Sequence, residues 1–180
     1  MTDTAAFDLL TTRSGVPLRV RPADAADEAA LAEFFTHVSP DDLRFRFLSG
    51  ADTVRRDQLV AMTQVDHGRT ESFLAYDAAD DRLVATAMLA CDPALRTGEV
   101  AIVVRSDYKN KGLGWALLDY VAAFAEPKGL HAIEAVESWE NRAALEVERD
   151  MGFTIASYPG DATLSLVRRL LPAGIAAGVA

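Results

Sequence analysis

The chain contains a single cysteine, Cys91, so no intrachain disulfide can form and metal frameworks built on cysteine pairs are excluded. Positive charge is also scarce: 18 Lys and Arg stand against 27 Asp and Glu, for a formal net charge of -9. A nucleic-acid footprint needs a basic face that replaces counterions on phosphates, so nucleic acid is not an expected partner. A basic or amine-bearing partner fits better. No apolar run reaches spanning length, and the start, MTDTAAFDLLTTRSG, lacks the basic region and continuous apolar core of a signal peptide. No membrane association and a cytoplasmic location are therefore expected. No metal site is expected, and Cys91 reads as a strand residue without a catalytic task.

What is present is a globular composition, 50% apolar and 25% charged over 180 residues, enough for one domain with a sizeable core spanning 1–180. Residues 7–21 read as two short extended segments around Arg13-Ser14-Gly15, an N-terminal hairpin. Asp24 is a plausible N-cap for a helix with Leu31, Phe34, Phe35 and Val38 at i, i+3, i+4 and i+7. Ser39-Pro40 is read as its stop. A second helix is expected from about Thr53 to Thr63, after Ser49-Gly50. From Ser72 the pattern turns to strands: Ser72 to Tyr76, Leu83 to Ala90 and Gly98 to Arg105, joined by polar turns as an antiparallel meander. Then follow a helix from Leu113 to Ala125, a strand His131 to Val136, a helix from about Asn141 to Met151, and strands Phe153 to Ser157 and Thr163 to Val167. One strand-helix-strand crossover makes the order mixed α/β. The apolar tail 171–180 reads as a packed or frayed terminus or an oligomer contact; the oligomeric state is left open, a homodimer among the options.

Between a strand and the longest helix stands Lys109-Asn110-Lys111-Gly112-Leu113-Gly114-Trp115. The first turn of a helix has N–H groups without intrahelical partners and the positive end of the dipole, which attract phosphate. Gly112 and Gly114 lack a Cβ and allow close approach, while Lys109 and Lys111 add charge. The corner is a candidate cradle for a phosphate or pyrophosphate. It is neither a Walker loop nor a dinucleotide fingerprint, and two glycines alone would equally describe an ordinary helix start.

The run Val103-Val104-Arg105-Ser106-Asp107-Tyr108 together with this corner, then Ala116-Leu117-Leu118, resembles the acyl-CoA-binding motif [QR]-x-x-G-x-[GA] of the GNAT superfamily of N-acetyltransferases, with Lys109 where Gln or Arg is usual. A second block, Asn141, Ala144 and Met151-Gly152-Phe153, resembles the family's N-x-x-A-…-[LM]-G-F. The resemblance covers most of residues 16–168. It implies α/β (α+β) architecture, the GNAT fold: a mixed, mostly antiparallel central sheet of six to seven strands flanked by about four helices. Ser39 to Phe47, then Thr63 to Asp66 with Arg69, then Glu99 to Asp107, are similar to the bacterial protein-lysine acetyltransferase (Pat-like) branch. The additional domains often fused in that branch have no room here, so their regulation is not implied.

The resemblance implies acetyl-CoA as cofactor, with coenzyme A pyrophosphate on the cradle and pantetheine along Ile102, Val103, Val104 and Arg105. Lys109, Asn110, Lys111, Gly112, Leu113, Gly114, Trp115, Asn141 and Ala144 complete the implied cofactor set. The acceptor would be an amine, on a protein lysine or a small molecule, attacking directly. A lysine amine has a reference pKa near 10.4, so it must lose a proton before attack, and a base is needed. Glu99 stands at the position of the general base in the Pat-like branch; alone, a Glu at a strand end would be read as solvated. Partial burial between strands would raise its pKa toward neutrality. Glu137 is the competing base and His67 a third candidate, although a loop histidine is ordinarily polar surface. Where many members carry a tyrosine acid this chain has Glu148, so the tyrosine is absent. Asn141 would hydrogen-bond the pantetheine arm, cap its helix, or both. Arg44, Arg46, Asp66 and Arg69 are expected to flank the acceptor cleft, against the ordinary alternative of surface ion pairs. A protein that binds acyl-CoA without catalysis would keep the cradle but need no carboxylate at 99.

Overall fold

In the computed structural model, which describes residues 7–48 and 53–177, the strands run β1 (Asp8–Thr11), β2 (Pro17–Pro22), β3 (Thr70–Asp77), β4 (Leu83–Cys91), β5 (Thr97–Val104), β6 (Ala132–Ser138), β7 (Thr154–Ser157) and β8 (Leu164–Leu170). The helices are α1 (Glu28–Phe35), α2 (Pro40–Phe47), α3 (Arg56–Thr63), α4 (Leu113–Ala125), α5 (Arg142–Asp150) and α6 (Pro172–Ala177). The eight strands form one sheet in the order β1-β2-β3-β4-β5-β6-β8-β7. Every neighbouring pair is antiparallel except β5 and β6, which α4 connects. The mixed, mostly antiparallel class is the expected one, with one strand beyond the expected six to seven and six α-helices among the described residues instead of about four.

Both faces of the sheet are covered. One core joins Leu18, Val20, Phe73 and Ile133 to the α4 stripe Leu113, Leu117 and Val121; the other joins Leu74, Leu83 and Val103 to Leu31, Phe34, Leu59 and Met62. A strand buried on both faces has no polar side to show, which is why Ser72 to Ala75 is buried without interruption.

The additional helix α2 corrects the reading of Ser39-Pro40 as a stop. Ser39 is the N-cap of α2, its hydroxyl accepting from Asp42 N–H, and Pro40 opens the helix at a position where no N–H is needed. Asp24 caps as expected, on a short 3-10 turn (Ala25–Asp27) that leads into α1. Pro172–Ala177 of the tail forms helix α6; residues 178–180 and Ser49-Gly50 lie outside the described residues.

The feature that matters most for function is a break in the sheet. β5 pairs with β6 only at Thr97↔Ala132, Gly98↔Ile133 and Glu99↔Glu134. On its other edge β5 stays paired with β4 up to Val104, so from Val100 onward its β6-facing edge has no strand partner.

Candidate active site

The divergence of β5 from β6 opens a cavity of about 440 Å³, closed by α2, the start of α4, and α5. Of the expected cofactor residues, Ile102, Val103 and Val104 line it from β5, Lys109 to Trp115 except Lys111 from the corner, Asn141 from just before α5 and Ala144 from α5 itself. Glu99, Glu137 and Arg46 line it too.

At the corner, Gly112 takes φ +77, a left-handed conformation that glycine adopts without the Cβ penalty. It precedes α4 without a side-chain cap, the first turn has no acidic residue, and the first intrahelical bond is Ala116 N–H to Gly112 O at 3.1 Å. The N–H groups of Leu113, Gly114 and Trp115 are therefore free for an anion. A Cβ at Gly114 would meet nothing within 4 Å, so open space adjoins these donors. The β1–β2 turn buttresses the corner from behind: Ser14 Oγ donates to Lys111 O at 2.6 Å, and the Arg13 guanidinium lies 3.6 Å from the centre of the Trp115 ring.

The two lysines differ. Lys109 Nζ reaches the cavity but is paired with Asp42 at 2.5 Å, whereas Lys111 stacks over Tyr108 at 4.3 Å and does not line the cavity. Arg105 also points elsewhere, bonded to Asp107 at 2.8 Å and 3.7 Å from Glu33. It does not line the cavity, and its backbone N–H donates to Val84 O at 2.9 Å, so the expected cofactor role of Arg105 is not supported by its position.

Asn141 does not cap α5; its Nδ2 donates to Glu137 Oε2 at 2.8 Å. Burial pushes the Glu137 carboxyl up to about 7, with the Asn141 bond opposing. Glu148, two turns along the same helix face, is 5% exposed, and its Oε2 is buried without a hydrogen-bond partner. Burial, with the neighbouring Glu137 charge, pushes it up to about 9. Glu99, by contrast, is exposed at the point where β5 and β6 part. The burial expected to tune it is found at Glu137 instead. Arg46 is the cation that acts with Glu99, and burial lowers its pKa while Glu99 opposes that shift.

The other expected acceptor residues lie apart from this cavity. Arg44 pairs with Glu140 at 3.0 Å and lines a second cavity of about 560 Å³ with Phe45, Trp139 and Asp161. Phe45 and Leu48 line both cavities, so the two adjoin. Asp66 accepts from the N–H groups of Gly68, Arg69 and Thr70, organising the turn into β3, and Arg69 is exposed. His67 bonds Glu71 at 2.9 Å, away from the cavity. Sequence reasoning missed Asp42 as the partner of Lys109 and Glu148 as a buried acid; Asp42 sat inside a quoted motif, but its partner lies 67 residues further on, with no local pattern to announce it.

An open trough along an unpaired strand edge, ending at an uncapped helix start, fits an acyl-CoA-dependent acyltransferase: the free N–H groups suit a pyrophosphate and the strand edge suits an amide-bearing arm. A model of the acetyltransferase (GNAT) family matches residues 31–153, and the chain belongs to that family. It is an acetyltransferase, and acetyl-CoA is its acyl donor. The acetyltransferase PA5475 of Pseudomonas aeruginosa is 25% identical over 153 residues, covering 84% of this chain and 82% of that protein. The crystal structure of the GNAT domain of S. lividans PAT aligns with TM-score 0.84 at 22% identity, over 92% of this chain and 97% of that one. The spermidine N-acetyltransferase of Vibrio cholerae, in complex with CoA and spermine, aligns with TM-score 0.70 at 15% identity, over 88% and 98%. No helix among the described residues is long and apolar enough to cross a membrane.

Proposed function

We propose that the protein is an N-acetyltransferase of the Pat-like kind that transfers acetyl directly from acetyl-CoA to the side-chain amine of a protein lysine, with residues 1–180 acting as one catalytic domain. The observation that carries this reading is the separation of β5 from β6 immediately beyond Glu99, with the free N–H groups of α4 at the other end of the cavity. Val104 and Glu99 are five residues apart on an extended strand, about 17 Å at ~3.3 Å per residue, a span suited to an extended arm with its phosphate at one end and its reactive group at the other.

In this reading Leu113, Gly114 and Trp115 hold the pyrophosphate through backbone N–H, and Lys109 supplies charge shared with Asp42. The unpaired edge of Ile102 to Val104 aligns the arm and offers N–H groups to the acyl oxygen. Bound acetyl-CoA supplies an activated thioester carbonyl. Glu99, exposed at the mouth and facing Arg46, takes the proton of the attacking amine. Glu137 is the second candidate base, favoured by its burial and by a carboxyl near 7, close to the operating pH.

A lysine acceptor is supported by the resemblance of residues 39–47 and 63–69 to the Pat-like branch, by the likeness to the S. lividans PAT domain, and by the exposure of Glu99, which a long side chain can reach from the surface. The lining carries Asp42, Glu99, Glu146 and Asp150, besides the two raised glutamates, against Lys109 and Arg46, which suits a cationic amine of any size. A small amine is the second reading, favoured by the adjoining cavity with Glu140 and Asp161 and by the fold shared with a spermidine N-acetyltransferase. The deciding experiment follows thiol release from acetyl-CoA with lysine-rich protein extract against a panel of small amines, then maps modified lysines by mass spectrometry. Release with proteins alone supports the first reading, release with one amine the second. Tight acetyl-CoA binding without release from either would make the protein a cofactor sensor.

A further inference from the structure

The cavity contains a titratable group that the transfer as described does not use. Glu148 lies on α5 two turns beyond Asn141, so both project from one helix face toward the cavity. A buried carboxylate oxygen with no donor is costly, because ionised carboxyl oxygens accept only and this one has nothing to accept from. The cost falls if the group is a neutral acid whose O–H is free to donate to whatever occupies the cavity. The surroundings hold it in that form. From β6 the facing charge is Glu137; α4 brings Leu113, Gly114, Trp115 and Leu118 to the cavity, none of them titratable; Glu146 and Asp150, on α5 itself, are exposed. The cations among the described lining residues act elsewhere, Lys109 on Asp42 and Arg46 on Glu99.

Resting on the acetyl-transfer reading above, we propose that Glu148 is a second catalytic residue, a neutral carboxylic acid that protonates the departing sulfur, and that Glu137 returns the proton. The step balances as follows. The amine nitrogen forms the new C–N bond and its proton goes to Glu99. The C–S bond breaks with its electron pair on sulfur, and Glu148 transfers its proton there, leaving a thiol and a Glu148 carboxylate. Glu137 passes a proton to Glu148 and is itself reloaded from water, while Glu99 releases its proton to water. An alkyl thiol with a reference pKa of about 8.5 is closely matched to an acid near 9, so the transfer has little uphill component. Asn141 orients the Glu137 end of this pair by the 2.8 Å bond to Oε2.

The test has a readout that needs no cofactor. In the ligand-free protein at pH 7.5, infrared difference spectra should show a carboxylic C=O band that Glu148→Gln removes and that titrates away near pH 9. In Glu137→Gln the same band should titrate at lower pH, because the neighbouring negative charge is gone. In turnover, Glu148→Gln should lower kcat about 100-fold, within the range for general acids, with calorimetric affinity for CoA within about threefold of wild type. Glu148→Asp should recover part of kcat, and the alkaline fall in the wild-type kcat profile should vanish in Glu148→Gln. Absence of the band at neutral pH, or a Glu148→Gln kcat within about threefold of wild type with its alkaline limb intact, overturns the inference. Wild-type protein that releases no thiol with any amine would overturn the acetyl-transfer reading and this inference with it; release with an alkaline limb indifferent to Glu148 overturns this inference alone.

Discussion

Asn141 Nδ2 donates to Glu137 Oε2 at 2.8 Å, tying the residue that precedes α5 to β6 at the wall of the cavity. The bond favours the charged form of Glu137 and opposes the effect of its burial. Asn141→Ala should therefore move the Glu137 carboxyl upward from about 7, by about one unit if a hydrogen bond to a charged group is worth ~1.5 kcal/mol. Carboxyl chemical shifts followed against pH measure this directly. Because the Asn141 side chain makes no capping bond, the loss of stability should stay below ~1 kcal/mol, less than the removal of a working cap.

The same two carboxyls predict how stability follows pH. Folded Glu137 and Glu148 titrate near 7 and 9 instead of the ordinary 4.5, so above pH 4.5 the folded chain holds protons that the unfolded chain has released. Their contribution to stability is complete below about pH 4.5 and is lost as pH rises through 7 and then 9. Denaturant midpoints should fall across this window, by up to ~1.4 kcal/mol per pH unit for each proton involved. Glu148→Gln should flatten the slope between pH 7 and 9, and an unchanged slope would mean that Glu148 is ionised in the folded protein.

How much of this was visible in the chain depends on the distance over which each feature is determined. The meander β3 to β5, the stripe of α4 and the Gly-Lys corner are set within a dozen residues, and their positions agree with the sequence reading to within two residues. Helix α2 escapes the sequence reading although its start is also local: Ser39-Pro40-Asp41-Asp42 is a cap, a first-turn proline and two acids, but Ser-Pro after an apolar helical stripe also reads as a stop. β8 runs on to Leu170 because Arg168 pairs with Glu134 of β6, a partner that no apolar alternation reveals. The site divides in the same way. The cradle is local, but the Lys109–Asp42 pair, the Ser14 contact with Lys111 and the burial of Glu137 relative to Glu99 depend on elements brought together only by the fold. Two glutamates on neighbouring strands look alike until the strands are seen to part.

Gly114→Ala should separate the fold from the function of the cradle. The added Cβ meets nothing within 4 Å in the protein itself and replaces a glycine in the first turn of α4, so unfolding stability should hold or rise by up to ~1 kcal/mol. It would also enter the space beside the free N–H groups. Calorimetric affinity for acetyl-CoA should drop about 10-fold or more, and unchanged affinity would place the phosphate elsewhere. Gly112→Ala should behave differently, costing ~1 kcal/mol of stability because φ is +77 there.

Asp42 restrains the charge of Lys109. Asp42→Asn keeps a side chain able to serve at the third position of α2 but releases the lysine, which should tighten acetyl-CoA binding threefold to tenfold at low salt. The gain should shrink as ionic strength rises, because the interaction gained is between partly exposed charges. Weaker binding in Asp42→Asn would show that the pair, not the free lysine, is what holds the corner in shape.

The two candidate bases predict different behaviour on removal. Glu99 stands where β5 and β6 separate, exposed and opposite Arg46, at the end of the cavity far from the cradle. If it takes the amine proton, Glu99→Gln should lower kcat at neutral pH by about 100-fold while affinity for acetyl-CoA stays within about threefold. Its rate should then climb roughly tenfold per pH unit until loss of the Glu148 proton levels it near pH 9, since hydroxide and simple ionisation increasingly supply the neutral amine that the base would have produced. Glu137→Gln should leave that steep climb absent. A Glu99→Gln enzyme with a full rate and an unaltered acidic limb, beside a Glu137→Gln enzyme that shows the climb, would assign the proton to Glu137 and leave Glu99 as a surface carboxylate at the mouth of the site.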